Sequence, residues 1–276
     1  MAPTTTAVSR KIPVDCLRHS PCIELAYMEK GAGEVLICLH GLGGHALGWR
    51  HLMEELSPTY RVIAVDLRGH GQSGHRPEET LTIRALAEDI LALMRGLAIN
   101  EAHLCGHSLG GMIALEIFAR RGFLVKSLIL ANTTAFFPPP QNLEEFLNHF
   151  DQLDMPAWAR FMAPRLLRRG APAALVEEVV ETISATSRAA YRQGLIAAFQ
   201  ADYRWLLPLL DSPTLIVVGE DDQATPWSYA RYLHHMSKNS ALHLVPRAGH
   251  LAHQENPEEF NRLVRFHLEK GTKSGF

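Results

Sequence analysis

"LCGHSLGGMIALE", residues 104–116, opens as an apolar run and closes as an apolar helical stripe, with Gly106, Ser108 and Gly110 set in its middle. A nucleophile projecting into a cleft needs a sharp strand-to-helix turn. Such a turn presses main chain against main chain, so side chains two residues either side of its apex have to be absent; glycines at 106 and 110 meet that need. The stretch becomes G-x-S-x-G, with Ser108 exposed at the apex and the Leu109 N–H at a helix start, where negative charge is stabilised.

A serine hydroxyl is a weak nucleophile on its own, so this interpretation requires a histidine base and an acid to hold it. The histidine belongs after the last strand, where "PRAGHLAHQENPEEF" (246–260) offers His250 ahead of the final helix. His243 falls within the strand and His253 nearer the helix, so position favours His250. The acid belongs after the preceding strand, where "VVGEDDQATP" (217–226) supplies Glu220, Asp221 and Asp222 at the carboxyl end at which open α/β sheets place their sites. The chain order is then Ser, acid, His.

Working outward, aliphatic runs at 35–40, 60–67, 101–107, 125–132, 213–220 and 241–246 predict strands buried on both faces. Between them Ile83, Leu86, Ile90, Leu93 and Leu97 mark one helical face, and Phe260, Leu263, Val264 and His267 another. The alternation predicts an α/β fold with a mostly parallel sheet covered on both sides. Thr225 before Pro226 and Asn256 before Pro257 each predict a helix N-cap. "IELAYMEKGAGEVLICLH" (23–40) predicts two strands joined by a Gly-containing hairpin turn. The alternation lapses over 133–208, a helix-rich stretch that begins at "FFPPP", where three prolines fix the chain's departure from the sheet. Residues 1–132 and 209–276 are therefore expected to form one core, with 133–208 inserted as a helical cap.

The balance of 47% apolar and 20% charged residues over 276 positions argues against disorder. A net charge of −2 without a basic stripe disfavours nucleic acid and anionic membrane as partners and favours a small molecule. The N-terminus lacks the apolar core of a signal peptide and no run could span a bilayer, so a cytoplasmic location is expected. Cys38 and Cys105, inside strands, are expected to be buried thiols; Cys16 and Cys22 could pair if the chain were exported, which nothing in the sequence suggests.

With these motifs in hand, the sequence resembles the α/β-hydrolase superfamily along nearly its whole length. The family's G-x-x-D-x-x-x-P pattern falls on Gly219, Asp222 and Pro226, which selects Asp222 as the acid. Its H-G-x-G loop falls on "HGLGG" (40–44), which implies the Leu42 N–H as an oxyanion donor beside that of Leu109, and His40 as a brace for the loop. "DLRGHGQS" (66–73) matches a structural loop of the family. The resemblance implies attack by Ser108 on an acyl carbonyl, proton transfer through His250 and orientation by Asp222, with no cofactor or metal. Haloalkane dehalogenases and epoxide hydrolases carry aspartate at the elbow, which serine cannot replace. Carbon–carbon bond hydrolases and proline iminopeptidases carry a proline-containing oxyanion loop that "HGLGGHALGW" (40–49) lacks, and they remain alternatives, as does a receptor-like member with little turnover. Residues 185–204, 219–226 and 248–264 are similar to 3-oxoadipate enol-lactonases and related esterases, which implies a small ester or lactone as substrate. Of the 133–208 aromatics, Phe136, Phe137, Phe146, Phe150, Trp158, Phe161 and Phe199, most are expected to pack the cap. Arg160, Arg165, Arg188 or Arg192 would recognise a substrate carboxylate if one pointed inward.

Overall fold

A computed structural model describes residues 7–14, 22–76, 78–137 and 143–273. Its eight strands are β1 (Val8–Val14), β2 (Ile23–Lys30), β3 (Glu34–Leu39), β4 (Tyr60–Val65), β5 (Ala102–His107), β6 (Val125–Ala131), β7 (Thr214–Gly219) and β8 (Ser240–Val245). They form one sheet in the order β1-β2-β4-β3-β5-β6-β7-β8. β2 is antiparallel to both strands beside it, β1 and β4, and every other pairing is parallel.

The helices are α1 (Arg50–Leu56), α2 (Ile83–Gly96), α3 (Leu109–Arg121), α4 (Leu143–Gln152), α5 (Met155–Leu166), α6 (Ala173–Ser184), α7 (Arg188–Gln200), α8 (Trp227–Met236), α9 (Ala252–Glu255) and α10 (Pro257–Lys273). The strand pleat sends alternate residues to two cores. Along β3, Ile37 and Leu39 join α2, α3 and α8 on one face, while Leu36 and Cys38 join α1 and α10 on the other. Burial on both faces explains the unbroken aliphatic runs. β8, an edge strand, departs from this and leaves Leu244 exposed. Cys38 and Cys105 are buried and free. Cys22 is disulfide-bonded, and Cys16 lies outside the described residues.

Two local expectations are corrected. β2 and β3 do not form a hairpin, because β4 lies between them, antiparallel to β2 and parallel to β3. Residues 31–33 bridge the two strand spacings, roughly 10 Å, that this requires, with Gly31 and Gly33 at φ 84° and 109°. Thr225 does not cap α8, whose cap is Pro226; its hydroxyl turns instead to Asp222 and His250. β1 is an additional strand that no alternating pattern marks, because six of its seven residues are not buried, and it is formed by edge pairing to β2. Asn256 does cap α10 as expected, its Oδ1 accepting from the Glu259 N–H. Helices α4–α7 all lie between β6 and β7, and their aromatic core reaches Leu42 and Leu251. The prolines at 138–140 lie outside the described residues.

Candidate active site

Ser108 sits between β5 and α3 at φ 52° and ψ −116°, a backbone conformation that costs free energy and persists only where its surroundings impose it. Two contacts impose it: the Ser108 N–H donates to Ala131 O at 3.0 Å and the Thr133 hydroxyl donates to Ser108 O at 2.6 Å. A Cβ on Gly106 would overlap the Gly110 main chain, and one on Gly110 would overlap the Leu39 carbonyl. Gly110→Ala is thus expected to cost at least about 1–3 kcal/mol, the range for overpacking, in a urea denaturation series. Wild-type stability would show that the turn has slack.

His250, between β8 and α9, brings Nε2 to 3.0 Å from Ser108 Oγ. Its Nδ1 lies 3.1 and 3.0 Å from the two carboxylate oxygens of Asp222. Asp222 is buried and accepts further hydrogen bonds from the N–H groups of Ala224 and Thr225, the Thr225 hydroxyl and the Asn132 amide. Burial pushes its carboxyl up, but the charge and hydrogen bond of His250, with the Asn132 and Thr225 donors, outweigh it and hold the group below the usual carboxylate range. An ionised Asp222 only accepts, which fixes the proton on His250 Nδ1 and leaves Nε2 to accept from Ser108. Asp221 is exposed, and Glu220 accepts from the Arg247 N–H. His243 stays in β8, and His253 stacks on Trp49 at 4.4 Å.

Sequence reasoning missed Asn132, Thr133, Thr225 and His107. The first two directly follow β6: Asn132, at φ 46°, holds Asp222 while Thr133 holds Ser108, so one strand end holds both residues. The available signal was an Asn-Thr pair at the carboxyl end of a strand. His107 donates from Nε2 to His250 O at 2.8 Å; burial and the neighbouring His250 lower its pKa to about 3, which keeps it neutral.

The 40–44 loop packs against the elbow, since a Cβ on Gly41 would approach Ser108 Cβ at 3.0 Å. His40 accepts the Leu67 N–H on Nε2 at 2.9 Å and donates from Nδ1 to Gly41 O at 2.7 Å, bracing the loop. Asp66 takes the Ala46 and Gln72 N–H groups, so the 66–73 loop is structural. Leu109 opens α3, where an N–H has no preceding helical carbonyl to meet. Beside the loop, a cavity of about 40 Å³, enough for two or three waters, is walled by Leu42, His107, Thr182, Ile183, Leu251 and His253.

In the helical segment Phe150 and Trp158 are fully buried, and Phe137, Phe146 and Phe199 pack edge to face or tilted against one another. Arg188 donates to the Phe150 and Asp151 carbonyls, Arg192 pairs with Asp151, Arg165 folds over Phe161, and Arg160 is exposed. No helix among the described residues is long and apolar enough to cross a membrane.

Residues 34–257 match the family model described as alpha/beta hydrolase fold. The chain belongs to the α/β-hydrolase family. This α/β-hydrolase is 30% identical over 256 residues to a protein named as a carbamate hydrolase, RutD, of Variovorax paradoxus, covering 88% of this chain and 94% of that one. A thermophilic esterase from Thermogutta terrifontis superimposes with a TM-score of 0.87 at 28% identity, over 97% and 99% of the two chains. The enol-lactonase from Burkholderia xenovorans does so with a TM-score of 0.85 at 25% identity, over 94% and 100%.

Proposed function

We propose that the protein hydrolyses small, uncharged carboxylic esters or lactones through an acyl-enzyme on Ser108. The observation that carries this reading is the unbroken hydrogen-bonded line from Ser108 Oγ through His250 to Asp222. Ser108 Oγ attacks the substrate carbonyl as His250 Nε2 takes its proton, and the charged imidazole is stabilised by Asp222. The Leu42 and Leu109 N–H groups hold the oxyanion. His250 then returns the proton to the leaving oxygen, which departs as alcohol, or stays tethered to the acyl group for a lactone. A water repeats the sequence, with His250 as base, and frees Ser108. Helices α4–α7 act as the cap over this centre, in line with their aromatic core reaching Leu42 and Leu251.

An uncharged substrate is favoured because Arg165, Arg188 and Arg192 are engaged within the helical segment and Arg160 faces solvent. The test is mass spectrometry after a serine-directed phosphonate, followed by kcat/KM for short neutral esters, neutral lactones, an aryl carbamate, a carboxylated enol-lactone and a long-chain triglyceride. The expected result is label on Ser108 and preference for the short neutral acyl compounds. Preference for the triglyceride would sink the capped small-pocket reading, and preference for the carboxylate would overturn the uncharged class.

Leu42→Ala is expected to keep most activity, because the donor is main chain. Proline at 42 or 109 removes the donor itself and should cost roughly 3 to 4 kcal/mol of transition-state stabilisation, read from kcat/KM with circular dichroism as the folding control.

A further inference from the structure

The loop that presents His250 is held by the end of α5 as well as by the sheet. The His250 N–H donates to Leu166 O at 2.7 Å. Gly249 lies against the same stretch: a Cβ there would come within 2.6 Å of Arg168 N and 2.8 Å of Leu167 C, so only glycine lets the two main chains meet. One side chain spans the seam. Glu255, the last residue of α9, accepts the Gly249 N–H on Oε1 at 2.7 Å and the Arg168 N–H on Oε2 at 2.8 Å.

We propose that Glu255 is a positioning residue that aligns His250 with Ser108 and Asp222 by tying the histidine loop to the end of α5. Seating of the helical segment and alignment of the base are then one event. The proposal rests on His250 acting as the base. Two features make a carboxylate the right clamp. Its two oxygens each accept a main-chain N–H, and charged acceptors form the stronger bonds. A Gln in its place offers one oxygen and turns an amide N–H toward a second N–H. The alignment matters because a displacement of about 1 Å at a reacting group costs on the order of 100-fold, and the His250 ring has to keep its contacts to Ser108 on one side and Asp222 on the other.

The experiment compares wild type, Glu255→Gln and Glu255→Asp by active-site titration with the phosphonate, so that rates are expressed per competent site and unfolded protein does not count. Wild type is expected to label stoichiometrically. Glu255→Gln should lose about 30–100-fold in kcat per titrated site while KM changes less than about threefold, a loss confined to the reacting centre. Glu255→Asp, too short to reach both N–H groups, should retain part of the activity. A Gln variant with wild-type kcat per site, or one whose KM rises in step with the fall in kcat, overturns the proposal; the second result would mark Glu255 as structural only. Wild-type protein that takes no label removes the acyl-enzyme reading, and the proposal with it.

Discussion

Alanine at position 108 is expected to leave the chain folded and to lower ester turnover by ~10³-fold or more, because a nucleophile, its base and its acid work as a unit. The Ser108 backbone is held by its N–H to Ala131 O and by the Thr133 hydroxyl on its carbonyl, and neither bond involves the side chain that is removed. Melting temperature should therefore stay close to wild type while phosphonate labelling disappears. Full activity in purified Ser108→Ala protein would end the acyl-enzyme reading.

Asp222→Asn is expected to lower kcat by about 10⁴-fold, with Asp221→Asn close to wild type. An amide at 222 has only one accepting oxygen where the carboxylate now takes donors from Ala224, Thr225, Asn132 and His250. Its N–H₂ group, set against Nδ1, favours the tautomer with the proton on Nε2, where it faces the Ser108 hydroxyl and cannot accept from it. The wild-type carboxylate, held below its ordinary range, adds stability that is present above about pH 4 and is lost as pH falls further. The Asn variant should lose that acid-side dependence. Kinetics reversed between the two variants would move the acid to Asp221.

Ser108 and its flanking glycines were legible in the sequence because the turn is local: the residues that crowd one another, 106 and 110, lie four apart in the chain. Asp222 and His250 were legible because each follows a strand at the carboxyl edge, and the G-x-x-D-x-x-x-P resemblance separated Asp222 from its neighbours. Asn132 and Thr225 were not legible, since their roles exist only where β6 and β7 lie side by side. Thr225 carried a helix-cap signal that a stronger acceptor, the buried carboxylate, overrode. The β2–β3 hairpin failed for a related reason. A short glycine turn fits a hairpin and a step over an intervening strand equally well, and β4 decides between them from 26 residues downstream of β3's first residue, at the Glu34–Tyr60 pairing. The hydrogen bonds of Arg165, Arg188 and Arg192 likewise depend on how α4, α5 and α7 pack.

The buried, neutral histidines also make the folded chain a poor acceptor of protons. Burial lowers the pKa of His107 to about 3 and those of His70 and His267 to about 4, and it lowers His40 and His253 as well. The unfolded chain takes up these protons from about pH 6.5 downward, whereas the folded chain does not. Stability is therefore complete above about pH 6.5 and is lost as pH falls toward 4, by about 1.4 kcal/mol per pH unit for each proton taken up on unfolding. Urea midpoints should drop steeply between pH 7 and pH 5, and more shallowly in a His70→Gln variant. Midpoints that stay level across that interval would show that the buried rings already carry charge. This loss of stability begins well above the pH at which Asp222 loses its charge.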